Sequence, residues 1–215
     1  MPSKTLLICN RRIKKIEMMK NKIQNLTGIA LMAAILCVVG PLIIPIGIVP
    51  ISLTNMVIYL SILLWEQKKA CISVIIYLLI GLVGVPVFSG FGAGVGKLFG
   101  PTGGYLLGYL LLSWISGMIL KKLKRKDQNM LNCCTKYNKE KIHRFVKVGK
   151  EMAALVTGTI GLYIFGTFWL MFQSNMTFEN ALFVGVLPFI AFDIIKMILA
   201  ISLADSIKKR VKFIL

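Results

Sequence analysis

Val85-Pro-Val-Phe-Ser-Gly90-Phe-Gly-Ala-Gly-Val-Gly-Lys97-Leu-Phe-Gly100-Pro-Thr-Gly-Gly-Tyr105-Leu-Leu-Gly108 is the stretch on which the reading of this chain turns. It is dense in glycine, carries a single charge at Lys97, and lies between two apolar runs long enough to cross a bilayer. Glycine at this density, where packed helices would otherwise continue, means that the backbone bends sharply or comes close to something. The stretch reads as a loop with a role.

Outward from it, composition sets the class. Of 215 residues, 57% are hydrophobic and 16% charged, and the apolar residues fall in runs approaching twenty rather than in an amphipathic 3.6 pattern. A soluble domain of this size would not carry so apolar a surface, so the expectation is an all-α, polytopic protein of the cell membrane. The net charge of +18 would suggest nucleic acid in a soluble chain. Its distribution argues otherwise: seven Lys and Arg precede Gly28, Lys68 and Lys69 form a pair, eleven lie from Lys121 to Lys150, and four from Lys208 to Lys212. Basic residues gathered in alternate inter-helix segments follow the positive-inside rule, and no nucleic-acid partner is expected.

That pattern predicts six transmembrane helices with both termini cytoplasmic. A basic segment at 1–25, with Arg11, Arg12, Lys14 and Lys15, anchors topology and meets membrane lipid. The spans of the transmembrane domain, 26–205, run over about 26–44, 51–65, 70–86, 101–120, 152–172 and 181–204. A basic cytoplasmic loop at 121–150, flexible or loosely helical, and a basic tail at 206–215 complete the chain. The N-terminus lacks the short apolar core and small-residue site of a cleaved signal peptide. Pro41, Pro45 and Pro50 exclude a regular helix from the outer connection between the first two spans. Ala30 and Ala34, four apart, give the first span a small-residue face that suits internal packing or a docking partner, and Gly104 and Gly108 do the same in the fourth.

With the cytoplasmic charges assigned, Lys97, Glu179, Asp193 and Lys196 remain outside or within the membrane. Asp193 and Lys196, at i and i+3 in the sixth span, share one helix face below Pro188. A charge near the bilayer centre costs about 2.5 to 3.5 kcal/mol even on the most lenient scale, so the pair reads as a site rather than as structure. A carboxylate beside an ammonium suits a ligand with hydrogen-bond donors and an anionic group. Lys97 is either a second ligand cation or a loop lysine facing headgroups. Ser52, Thr54 and Asn55, at the start of the second span, need polar partners in hydrocarbon.

The alternating Gly90, Gly92, Gly94 and Gly96 do not make a nucleotide loop, since no strand precedes them. Cys9, Cys37, Cys71, Cys133 and Cys134 show no CxxC spacing, and His143 lies among lysines, so neither metal nor disulfide is expected. No Walker, HExxH or GxSxG pattern is present, and no cofactor is expected.

The run from Gly81 to Tyr105, with its Gly100-Pro-Thr-Gly-Gly-Tyr105 core, strongly resembles the signature of the BioY family, the biotin-specific S components of energy-coupling factor (ECF) transporters. Val49-Pro-Ile-Ser-Leu-Thr54 and Asp193-x-x-Lys196 resemble further family motifs, and the likeness covers about 26–205. The resemblance implies a six-helix, non-enzymatic S component that binds biotin from outside and docks on a transmembrane coupling subunit driven by two ATPase subunits. Ala30 and Ala34 would then contact that coupling subunit. Asp193 would accept from the ureido N–H groups, and Lys196 and Lys97 would meet the valerate carboxylate. Phe88, Gly90 and Tyr105 would wall the fused rings, with Asn55 also at the substrate. Alternatives are an S component for another small vitamin and an intramembrane enzyme with Asp193 and Lys196 as acid and base.

Overall fold

The computed structural model describes residues 4–45, 50–65, 67–131 and 139–214, with side chains described over 16–20, 22–45, 50–65, 67–125 and 146–210. Cys9, Arg11, Arg12, Lys14, Lys15, Glu66, Cys133, Cys134, His143 and the end of the basic tail therefore lie outside the residues whose side chains are described.

The architecture is helical. Among the described residues, eight helices run in the order α1 (Lys4–Val39), α2 (Thr54–Leu64), α3 (Gln67–Leu82), α4 (Gly94–Leu98), α5 (Gly103–Leu131), α6 (Lys139–Ser174), α7 (Phe178–Gly185) and α8 (Leu187–Ile214). Four stretches of the described residues are long and apolar enough to cross a membrane: Ile16–Val39, Gly103–Arg125, Val146–Ser174 and Phe178–Arg210. The second expected span is shorter than a bilayer is thick. Its 11 helical residues make about 16 Å at 1.5 Å per residue, against a hydrocarbon core of roughly 30 Å.

Two features of the chain start α2 late. Pro50 stands immediately ahead of β2, and Ile43–Ile44 (β1) pairs antiparallel with Ile51–Ser52 (β2), Ile44 facing Ile51, so these residues are extended rather than helical. Ser52 Oγ then accepts the amide of Thr54 at 3.0 Å, satisfying one of the free N–H groups at the start of α2. Short as it is, α2 is buried along almost its whole length, from Thr54 to Leu63 with Met56 partly covered. Backbone and polar side chains at membrane depth are tolerated where protein rather than lipid surrounds them.

The longest seam joins α5 to α6. A Cβ added at Gly104 would fall 2.2 Å from Trp169 Cβ, and one at Gly158 would fall 1.9 Å from Ser116 Oγ. The two helices meet at backbone distance because these positions carry no side chain, which is how helices associate in hydrocarbon. Their far ends continue as helix through most of the basic stretch expected as a loop at 121–150, to Leu131 on α5 and from Lys139 on α6. Lysine and arginine are good helix formers, and an apolar seam already holds both helices, so the turns propagate. On this basic end Lys147 bonds Asp205 at 2.5 Å and lies 3.8 Å from Glu151, joining α6 to α8.

The sixth expected span is two helices, not one. α7 ends at Gly185 and α8 begins at Leu187, with Val186 outside helical geometry between them (φ −127, ψ −53). Pro188 explains the break, because it has no N–H to give the carbonyl of Val184 and its ring would clash there. Pro101 likewise stands two residues ahead of α5 rather than in its first turn.

The glycine-rich stretch is a loop, as its composition predicts, with α4 as a single turn inside it. Phe88 bridges Gly92 across a tight reversal. Gly90 (φ 69) and Gly94 (φ 77) adopt left-handed backbone that favours glycine. Phe91 takes the same region at φ 58 with its ring 68% exposed.

Candidate ligand site

Asp193 and Lys196 lie on α8 one turn apart and face inward, their side chains 2% and 7% exposed. Lys196 Nζ donates to Asp193 Oδ1 at 2.9 Å and to the backbone carbonyl of Ser52 at 2.8 Å. That carbonyl is presented by the end of β2, so the proline-shaped connection supplies part of the site. Tyr163 Oη, from α6, donates to Asp193 Oδ2 at 2.7 Å, and Asn55 Nδ2, from α2, donates to the same oxygen at 3.2 Å. One carboxylate thus draws α2, α6 and α8 together.

These groups border a cavity of about 40 Å³ whose wall includes Ser52, Asn55, Ser89, Thr102, Tyr105, Tyr109, Tyr163, Phe189, Asp193 and Lys196. Two valences in it are unspent. Asn55 Oδ1 is buried with no hydrogen-bond partner, which in a native interior marks a group waiting for something. Lys196 uses two of its three N–H donors on Asp193 and Ser52. The site therefore offers acceptor oxygen on one side and a cationic donor on the other, with tyrosine rings between.

The sequence-predicted residues divide. Asp193, Lys196, Asn55 and Tyr105 line the cavity, and the Tyr105 hydroxyl donates to the Gly185 carbonyl at the end of α7, at 3.0 Å. Phe88, Gly90 and Lys97 are not among its lining residues. The ring of Phe88 is fully buried against Gly81 and edge-on to Tyr77 at 5.6 Å. The amide of Gly90 donates to the Pro41 carbonyl at 3.2 Å, tying the glycine-rich loop to the proline connection. The arm of Lys97 lies over Gly92 on the loop itself, where a Cβ would meet Lys97 Cδ at 2.9 Å. Ala30 and Ala34 are both exposed on α1.

Reasoning from sequence missed Tyr163 and Tyr109, and marked Ser52 only as a side chain in need of a polar partner. The only signal for Tyr163 was a tyrosine inside an apolar span, and Ser52 acts through its backbone, which composition does not reveal. Asp193 and Tyr163 also face an apolar groove of about 440 Å³ between α6 and the α7–α8 pair. No group of three or more metal-ligating side chains occurs among the described residues.

Fold and site together define a helical membrane protein with a small cavity around a buried carboxylate–ammonium pair, with Ser89 and Thr102 of the glycine-rich stretch in its wall. The family model described as the BioY family matches residues 12–213, and the chain belongs to that family. It is 35% identical over 182 residues to "Biotin transporter BioY2" of Lactococcus lactis subsp. cremoris, covering 85% of this chain and 88% of that one. It is 34% identical over 175 residues to "Biotin transporter BioY" of Thermotoga maritima, covering 81% and 90%. Among solved structures it is similar to the S-component for biotin from an ECF-type ABC transporter, at a TM-score of 0.74 and 32% identity over 88% of this chain and 93% of that one.

Proposed function

We propose that this protein is the biotin-binding S component of a vitamin uptake transporter. The observation that carries the reading is the buried Asp193–Lys196 pair set beside the unpartnered Asn55 Oδ1. A ureido ring brings two N–H donors, which Asp193 and Asn55 Oδ1 accept, and a carbonyl. A carboxylate at the other end of the ligand takes the third donor of Lys196. Lys97, reaching from the loop, supplies a second cation to that carboxylate, and Tyr105 and Tyr109 flank the rings while Phe88 and Gly90 support the wall from behind.

Ligand pockets ordinarily hold about 300 to 1,000 Å³, so the cavity of about 40 Å³ must widen to admit the bicyclic ligand. Ser89 and Thr102 of the glycine-rich stretch stand in the wall, so displacement of that stretch would widen it. The chain makes six membrane segments, α1, α2, α3, α5, α6 and α7–α8, with the basic ends of α5, α6 and α8 and both termini in the cytoplasm. The short α2 is accommodated because its neighbours surround it. The exposed Ala30 and Ala34 support a face for the coupling subunit, which with two ATPase subunits would energise uptake. The named relatives are transporters, which leaves the enzyme alternative without support: this is not an enzyme.

Labelled-biotin binding to purified protein tests the reading. Asp193→Asn and Lys196→Ala should each abolish measurable binding, and wild-type affinity in both variants would sink the site assignment. A thermal-shift panel of small vitamins separates biotin from other ligands. Ala34→Trp should retain biotin binding and lose co-purification with the coupling subunit.

A further inference from the structure

A second cavity, of about 590 Å³, lies at the other ends of α2, α3 and α5. Five cations line it, Lys68 and Lys69 from the start of α3 and Lys121, Lys124 and Arg125 from α5, together with Trp65, Gln67, Ile62, Leu64 and Leu120. No carboxylate is among the described lining residues. The acids nearest in sequence are Glu66 and Asp127, two charges against five. Of the described carboxylates on this side, Asp205 is engaged by Lys147 and Glu151 by Lys147 and Lys208, with Lys124 also within electrostatic reach of Glu151.

Two observations point to an anion here. Like charges gathered in one concavity repel unless a counter-charge sits among them. The first turn of α3 contains no acid and two lysines, although the N-terminal end of a helix is already positive. The position identifies the anion. Hydropathy along α5 falls at Lys121, so the cavity lies at headgroup depth, and the half-buried Leu64 and Trp65 give it an apolar edge. Phosphate below and acyl chain above is the chemistry of a phospholipid, and basic pockets between membrane helices hold such headgroups.

We propose that this cavity binds the headgroup of an anionic phospholipid, with Lys121, Lys124 and Arg125 on one side of the phosphate and Lys68 and Lys69 on the other. The proposal rests on α5 crossing the membrane and is independent of which ligand Asp193 and Lys196 bind. Native mass spectrometry of the delipidated full chain, titrated with cardiolipin, phosphatidylglycerol or phosphatidylcholine, tests it. Saturable binding of the two anionic lipids is expected. At about 1 kcal/mol per cation, roughly fivefold each, Lys121→Gln/Lys124→Gln/Arg125→Gln should weaken that binding on the order of 100-fold, and the single Lys124→Gln about fivefold. Lys14→Gln/Lys15→Gln/Lys20→Gln on the basic leader should change it little. Biotin binding by the same samples reports the fold.

Equal loss in the leader variant would reduce the site to general charge and overturn the proposal. So would equal retention of phosphatidylcholine. Displacement of the lipid by millimolar inorganic phosphate would make the ligand a soluble anion instead. Unchanged lipid binding in the triple variant, with loss of the coupling subunit, would make the surface a protein contact.

Discussion

The cavity holding Asp193 and Lys196 and the cavity rimmed by Lys68, Lys69, Lys121, Lys124 and Arg125 lie at opposite ends of α2 and α5, and they handle charge in opposite ways. In the first, one carboxylate and one ammonium are almost fully buried, and hydrogen bonds from Tyr163, Asn55 and Lys196 occupy most of the carboxylate's capacity. In the second, five cations share a wider, partly exposed space with no acid among the described residues of its wall. Desolvation makes the difference. A buried charge must be matched within a few ångströms, whereas a charge at the membrane surface can wait for a partner from outside.

Removing one charge from each cavity is the sharpest way to break this contrast. Lys196→Ala leaves Asp193 buried and uncompensated, and should cost about 3 to 5 kcal/mol of stability, read as a fall in thermal midpoint together with loss of biotin binding. The double change Asp193→Leu/Lys196→Met should recover most of that stability and none of the binding. Recovery of both would make the pair purely structural. Next in size, Tyr163→Phe deletes a hydrogen bond to a charged acceptor, worth about 1.5 to 3 kcal/mol, and should weaken biotin binding by tenfold or more in equilibrium titration. At the other end, Lys121→Gln should change the stability of delipidated protein by no more than about 0.5 kcal/mol, read as a thermal midpoint that stays put or rises slightly. A large fall there would mean that the second cavity is internally balanced after all.

The polar pair was legible because charge inside an apolar run is rare and i, i+3 spacing fixes its face. The loop was legible because glycine at that density leaves few alternatives. The site's other contacts were hidden for stated reasons. Ser52 contributes a carbonyl, which every residue has. Tyr163 is one of several tyrosines in apolar spans, and only the way α6 packs on α8 selects it. Lys97 was tied to the ligand by the family resemblance, its charge alone leaving a lysine facing headgroups equally open, and its arm lies over Gly92 on the loop. The basic stretch at 121–150 read as a loop because hydropathy falls at Lys121, but helix propensity does not fall with it.

The elbow at Val186 insulates the ligand pair from the length of what precedes it. In an uninterrupted helix, each residue inserted upstream would turn Asp193 and Lys196 by about 100° about the axis, out of the cavity and into lipid. Here α8 starts its phase afresh at Leu187, and insertions or deletions in Gln173–Gly185 can be absorbed where the two helices meet. The outer link can thus vary in length while the Asp-x-x-Lys face stays in register with Asn55 and Ser52.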